Sequence, residues 1–172
     1  LLQFSDKTDE QIYKREDTVN YLDKVISEYI STALATPNLN VNISQALSSY
    51  YLMLVDIERI SDYAVNMNHQ ATKRLQGDMT ISEIEIIEHM KKLCEDMKND
   101  LDDVEEAERK DDVIDSLVSS WREAQIQALK QKKCSSEVSM MLSRIFTDFE
   151  RINDHALNVS QELDKITFEI PD

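Results

Sequence analysis

The segment that decides the fold occurs twice in the chain. It reads DIERISDYAVN over residues 56–66 and DFERINDHALN over residues 148–158. The two copies are 92 positions apart, and seven of their eleven positions are identical, including every charged one. Less similar segments precede them, in which Glu16 aligns with Asp111 at an offset of 95. The repeat predicts two copies of one helix–loop–helix unit.

Apolar residues at spacings of three and four predict five helices with short connections. These helices are expected at residues 8–35, 44–77, 80–109, 110–131 and 135–163. Pro37 and the surrounding asparagines mark the first break, and Ser44 is expected to cap the second helix, which ends near Gly77. The fourth helix is expected to bend or break away from the third around Arg109, and Ser135 or Ser136 to cap the fifth. The fold class predicted is all-α, an antiparallel helical bundle.

Composition and charge exclude several classes of protein. The single glycine cannot supply a Gly-rich phosphate loop. The formal net charge of −15 repels nucleic acid and anionic lipid and favours cations or basic partners. Because of this charge we expect no nucleic-acid partner. Apolar runs are too short to span a membrane, so we expect no membrane insertion of this segment. Two lone cysteines and the lack of a signal peptide favour a cytoplasmic location.

The repeated acids suggest a metal centre. Glu58 and Asp62 are i, i+4 neighbours beside an apolar stripe that includes Ile57, and Glu150 and Asp154 are placed in the same way. Asp111 with Asp115 forms a further pair on the preceding helix, whereas Glu16 is followed there by Asn20. Facing carboxylates beside a core are costly unless a cation neutralises them. Such oxygen ligands suit Mg²⁺, Ca²⁺, Mn²⁺ or iron.

Other interpretations of these residues stay open at this point. The acids could form a solvated face on which Arg59 or Arg151 pairs with them, leaving a purely structural bundle. A carboxylate-bridged metal-dependent hydrolase or oxidase is a second alternative, but it needs a histidine or a water-orienting group. Of the histidines only His155 lies near a motif, and an interfacial role suits it better than a ligand role. Neither HExxH nor ExxH occurs in the chain.

The doubled motif resembles that of the PhoU family of phosphate-regulation proteins, over nearly the whole chain. The resemblance implies two tandem three-helix bundles, here residues 1–77 and 78–172. It also implies multinuclear clusters of iron or zinc on the family's motif carboxylates. Carried over to this chain, those carboxylates are Glu16, Glu58 and Asp62 in the first repeat, and Asp111, Asp115, Glu150 and Asp154 in the second.

Two departures from the family pattern bear on function. Asn20 replaces an acid of the first site, and most of a first helix is missing before Glu16, as though the chain, which begins at Leu1, were a piece of a longer protein. The spacing through Pro37 is similar to that of the PhoU-like tails of bacterial sodium/phosphate cotransporters. We therefore expect a cytoplasmic, metal-binding regulatory domain of phosphate uptake or phosphate signalling, without catalysis. It is expected to act on a phosphate transporter membrane domain, as the tail of such a transporter, or on phosphate-signalling proteins. The apolar run Tyr50–Met53 is expected to be covered by a second copy, as in a homodimer, or by the missing segment.

Overall fold

The computed structural model describes residues 6–74 and 81–167. Within these two ranges the chain forms five α-helices and no strand, which confirms the all-α prediction. The helices are α1 (Asp6–Leu34), α2 (Val41–Arg74), α3 (Ile81–Asn99), α4 (Val104–Lys130) and α5 (Ser136–Thr167). None of them combines the length and the apolar character needed to cross a lipid bilayer.

The connection between α1 and α2 is built from asparagine and proline. Pro37 follows the end of α1, and Asn38 adopts a positive φ of 60°, which asparagine tolerates better than most residues. Asn40 then caps α2, because its side-chain oxygen accepts from the Asn42 backbone N–H at 2.8 Å. The helix therefore begins three residues before Ser44, the predicted cap. Gly77, at the predicted end of this helix, lies outside the described residues.

The break between α3 and α4 corrects one prediction. It lies at residues 100–103, not around Arg109. Asp103 caps α4 by accepting from the Glu106 backbone N–H at 3.1 Å, and the Lys110 ammonium contacts both the Asp96 carbonyl and the Asp100 carboxylate. Aspartate side chains compete with helical backbone bonds, so this Asp-rich stretch ends one helix and starts the next. Apolar residues recur at helical spacing through this stretch, so the sequence pattern did not indicate the break.

The turn between α4 and α5 follows the predicted chemistry. Lys132 takes a positive φ of 57° after the end of α4, and the next backbone N–H closes the turn onto Ala128. Ser135 is the cap of α5, since its hydroxyl accepts from the Val138 backbone N–H at 3.2 Å. The cap predicted at this serine pair is confirmed at Ser135.

The two motif-bearing helices, α2 and α5, pack against each other at the centre of the molecule. They run antiparallel. Asp56 of α2 contacts His155 of α5, and Ser49, seven residues earlier on α2, contacts Glu162, seven residues later on α5. Helix α1 flanks α2 and helix α4 flanks α5, so each motif helix packs on the helix before it. Helix α3 packs on α4 and α5. Among the described helices, α1 contacts α2 alone.

The hydrophobic core lies mainly among α3, α4 and α5. Its largest cluster includes Met90 from α3, Val118 from α4 and Phe149 from α5, each at most 2% exposed. Among the residues of α1 and α2 whose burial the structure describes, the buried apolar ones are Ile30 and Met53. Ile57, expected on the buried stripe, is 43% exposed, because among the described helices only α1 and α5 pack on α2.

The apolar run 50–53 is divided by its position on α2. Met53 is buried against α5, whereas Tyr50, Tyr51 and Leu52 are exposed. Their cover by a second copy or by another segment stays a prediction. The division into units at residues 77 and 78 also stays a prediction, because that boundary lies outside the described residues.

Candidate metal centre

Three aspartates from two helices converge in the second repeat. Asp111 and Asp115 are one turn apart on α4, and Asp154 lies on the facing side of α5. Each offers a carboxylate oxygen, and the three oxygens lie within 4.8 Å of one another. In the part of the chain that the structure describes, no other group of three or more acids, histidines and cysteines meets this spacing.

The environment of Asp111 opposes its negative charge. Its Oδ1 atom is buried and has no hydrogen-bond partner among the described residues. Burial, together with the charges of Asp115 and Asp154 and then of Asp112, raises the pKa of Asp111 from 3.8 to about 6. A cation placed between the three carboxylates would relieve both the repulsion and the unsatisfied oxygen. The donor set therefore fits an oxygen-preferring metal ion.

Glu150, the fourth acid predicted for this centre, is engaged elsewhere. Its two carboxylate oxygens accept from both terminal nitrogens of Arg122, at 2.7 and 2.5 Å. The same guanidinium donates to the Thr147 hydroxyl at 3.1 Å. The structure thus brings three of the four predicted acids together and places the fourth in a bidentate ion pair with α4.

The acids of the first repeat are arranged differently. Glu58 and Asp62 lie one turn apart on α2, half-buried, and Arg59 lies 3.8 Å from a carboxylate oxygen of each. Glu16, on α1, does not join them in a group as tight as that of the second repeat, within the described residues. The motif arginine of the second repeat behaves alike, since Arg151 lies 3.6 Å from Asp154. These distances mark loose ion pairs on partly exposed side chains.

The histidine of the second motif serves the interface between the repeats. His155 Nδ1 lies 2.7 Å from Asp56 Oδ1, and the Asn158 amide donates to the same oxygen at 3.2 Å. The imidazole also stacks on Tyr63, with ring centroids 5.8 Å apart. The interfacial interpretation of His155 is confirmed, and its contacts are directed at α2.

Arg122 lies outside the repeated motif, and the motif does not predict its role. A signal for it existed in the sequence, because Arg122 follows Asp115 by seven residues and therefore shares its face of α4. An arginine that continues an acidic stripe is a candidate partner for one of the acids. Which acid it selects depends on how α4 and α5 align, and that alignment cannot be inferred from α4 alone.

Comparison with known proteins agrees with this architecture. The family model described as "PhoU domain" matches residues 1–71 and 84–163. The chain belongs to the PhoU family. A curated PhoU relative, "Phosphate-specific transport system accessory protein PhoU homolog 1" of Thermotoga maritima, is 22% identical over 165 residues, which cover 89% of this chain and 70% of the relative.

Both matched segments carry one copy of the motif, and together they contain all seven acids assigned to metal. In this PhoU chain the two copies are not equivalent. Asp154 of the second copy lies in a tight group with Asp111 and Asp115, whereas Glu58 and Asp62 of the first copy join no such group among the described residues. In both copies the motif arginine lies near a motif acid. A metal role for the seven acids stays a prediction, and the geometry supports it most for Asp111, Asp115 and Asp154.

Proposed function

We propose that this chain is a metal-binding regulatory domain of phosphate uptake or phosphate signalling. The observation that carries the proposal is the cluster of Asp111, Asp115 and Asp154, which spans α4 and α5. Membership of the PhoU family and similarity to a protein named as a phosphate-transport accessory support the phosphate context. A cytoplasmic location beside a transporter's membrane domain is part of the same proposal.

A bound ion would link two helices that otherwise repel each other at this point. Asp111 and Asp115 belong to α4 and Asp154 belongs to α5, so one ion coordinated by all three would tie the helices together. Iron and zinc are the ions implied by the family resemblance, and Mg²⁺, Mn²⁺ or Ca²⁺ also suit carboxylate ligands. Metal occupancy would then control how firmly α4 packs on the central helix α5.

We propose binding and signalling as the role of this centre, without catalysis. A hydrolase or oxidase would need a proton-transferring group beside the ion. His155 follows Asp154 directly in sequence, but its ring contacts α2, where Nδ1 lies 2.7 Å from Asp56 Oδ1. This contact favours a structural role for the only histidine near either motif.

The first test measures metal content and its effect on stability. Protein purified in chelator is loaded with iron, zinc or manganese, desalted and analysed for metal by mass spectrometry, and its thermal unfolding is followed in parallel. We expect bound metal and a raised Tm in the wild type, and neither in Asp111→Asn combined with Asp154→Asn. Coincident melts with and without metal would show that the aspartates form only a charged surface.

The phosphate context needs a separate test in cells. The chain is expressed in a host that carries a phosphate transporter of its source organism, and the uptake of labelled phosphate is measured under phosphate starvation and excess. We expect the wild type to change uptake and the Asp111→Asn, Asp154→Asn variant to lose that effect at equal protein level. Equal uptake with the wild type, the variant and an empty vector would contradict the regulatory role.

A further inference from the structure

Arg122 and Glu150 form the best-defined polar contact between α4 and α5. The guanidinium binds the carboxylate through both terminal nitrogens and also donates to Thr147. The Arg122 side chain is 35% exposed and that of Glu150 23%, so both are partly sheltered from water. Bidentate pairs of this kind are stronger and more directional than ordinary surface ion pairs.

The ion pair lies beside the aspartate cluster. Glu150 precedes Asp154 by one turn of α5, and Arg122 follows Asp115 by two turns of α4. Residues four apart share a face of a helix, so the Glu150 side chain is a neighbour of Asp154 as well as a partner of Arg122. In the structure its carboxylate binds Arg122, and the acidic group has three members.

The first repeat shows that this arginine is not a general feature of the unit. With the offset that aligns Glu16 with Asp111, the position of Arg122 is occupied by Ser27. Ser27 donates weakly to Asp23 on its own helix, at 3.5 Å. The arginine therefore occurs in the repeat that has all four acids, and is absent from the repeat in which Asn20 replaces one.

We propose that Arg122 selects the ligands of the metal centre by holding Glu150 away from it. In this state Asp111, Asp115 and Asp154 bind the ion, and Glu150 joins them only when the ion pair opens. The inference rests on the proposed metal centre and adds a control over it. A metal ion and Arg122 compete for one carboxylate, so the arginine weakens metal binding and keeps it reversible.

The test is a double-mutant cycle read out by metal affinity. Mn²⁺ is the probe, because the free ion is quantified directly by electron paramagnetic resonance. Arg122→Met removes the charge and keeps an unbranched side chain, Glu150→Gln removes the fourth carboxylate, and the double variant closes the cycle. Arg122→Lys retains a positive charge without the two parallel donors of the guanidinium. Its Mn²⁺ affinity should lie between those of the wild type and Arg122→Met.

The proposal predicts that Glu150→Gln changes the Mn²⁺ affinity by different factors in the wild-type and Arg122→Met backgrounds. Because each added carboxylate strengthens an oxygen site, Arg122→Met should bind Mn²⁺ about tenfold more tightly than the wild type. Glu150→Gln should weaken binding by less than about threefold in the wild type and by about tenfold in the Arg122→Met background, where the carboxylate is a ligand. An equal loss in both backgrounds would overturn the role of Arg122.

Arg151→Met is the matched control. It also removes one positive charge near the centre, since Arg151 lies 3.6 Å from Asp154, but the structure places the Glu150 carboxylate on Arg122. In this background Glu150→Gln should have the same small effect as in the wild type. A large effect would show that loss of charge alone recruits Glu150, which would also overturn the selective role of Arg122.

Folding and the metal centre itself are checked in the same series. Helical circular dichroism and urea unfolding of each variant show whether it folds, and Arg122→Lys carries the test if Arg122→Met does not fold. If Asp111→Asn with Asp154→Asn binds Mn²⁺ as the wild type does, the proposed metal centre fails, and this inference fails with it. If that variant loses binding but the cycle shows no coupling, only the inference on Arg122 fails.

Discussion

The two repeats share their motif but bury it to different extents. Phe149 is fully buried, whereas Ile57, at the same position of the first copy, is 43% exposed. Likewise Leu142 is fully buried, and its counterpart Tyr50 is 44% exposed. The difference follows from α3, which packs on α4 and α5 and contributes Ile87 and Met90 to the core. Motif identity therefore does not determine burial, because burial depends on the third helix.

The acids differ between the repeats in a parallel way. The second repeat has all four acids and an arginine that engages one of them, whereas the first has Asn20 and Ser27 at the corresponding positions. Three comparisons between the repeats, and one within the second repeat, test how far these differences extend.

The largest effect is expected from truncating the second position of the motif in each copy, Phe149 and Ile57. Phe149→Ala should lower the free energy of unfolding by about 3–5 kcal/mol, because a fully buried ring leaves a cavity. Ile57→Ala should cost about 1 kcal/mol, since its side chain is already partly in water. Urea unfolding followed by circular dichroism measures both. Equal costs would show that a partner covers Ile57 in solution.

Metal should stabilise the protein through the second repeat. At a free Mn²⁺ concentration about a hundred times its Kd, the gain in unfolding free energy should be about 2.7 kcal/mol. Asp111→Asn with Asp154→Asn should abolish this gain, whereas Glu58→Gln with Asp62→Asn should leave most of it. Thermal melts with chelator and with metal measure the gain in each variant. A greater loss of this gain from the first-repeat pair would show that the first repeat holds the metal more tightly than the second.

Stability of the metal-free protein should depend on pH through Asp111. Its pKa rises from 3.8 to about 6 in the folded state, so between these values the folded chain binds more protons than the unfolded chain. Stability contributed by this group therefore falls as the pH rises through that window. Asp111→Asn should lose less stability than the wild type over the same range, as measured by urea unfolding at each pH.

The control for this pH effect is the metal-loaded protein. Because Mn²⁺ and protons compete for the same carboxylates, the stabilisation by metal should grow as the pH rises. The pH trend with saturating Mn²⁺ should then oppose the trend without metal. Parallel curves for the wild type and Asp111→Asn, with and without metal, would show that this aspartate is not the responsible group.

The smallest effect is expected at the first position of each motif. Asp56 accepts from His155 and Asn158 across the α2–α5 contact, so Asp56→Asn should cost about 1 kcal/mol at neutral pH. Burial raises the pKa of Asp148, with Arg144 acting in the opposite direction, so Asp148→Asn should be neutral or slightly stabilising. Urea unfolding measures both. A larger loss of unfolding free energy for Asp148→Asn than for Asp56→Asn would contradict the predicted difference between the two repeats.

Much of the architecture follows from local sequence. The apolar spacing, the Pro37 connection and the serine cap at Ser135 specify helices and turns through contacts between residues close in the chain, so sequence alone predicts them. The α3–α4 break was misplaced because spacing continued through it and neither glycine nor proline marked it. The signal that sequence did contain, Asp103 followed by Glu106, is a local capping pattern.

The motif repeat by itself determined that acids occur in i, i+4 pairs on two equivalent helices, because helical periodicity alone requires this placement. Only the tertiary structure decided which acids meet. Helix α4 aligns on α5 so that Asp154 faces Asp111 and Asp115, while Glu150 reaches Arg122. Helix α3 packs on α5, whose motif residue Phe149 is fully buried, whereas Ile57 of the other motif is 43% exposed. These choices depend on how helices distant in sequence align, and helical periodicity carries no information about that alignment.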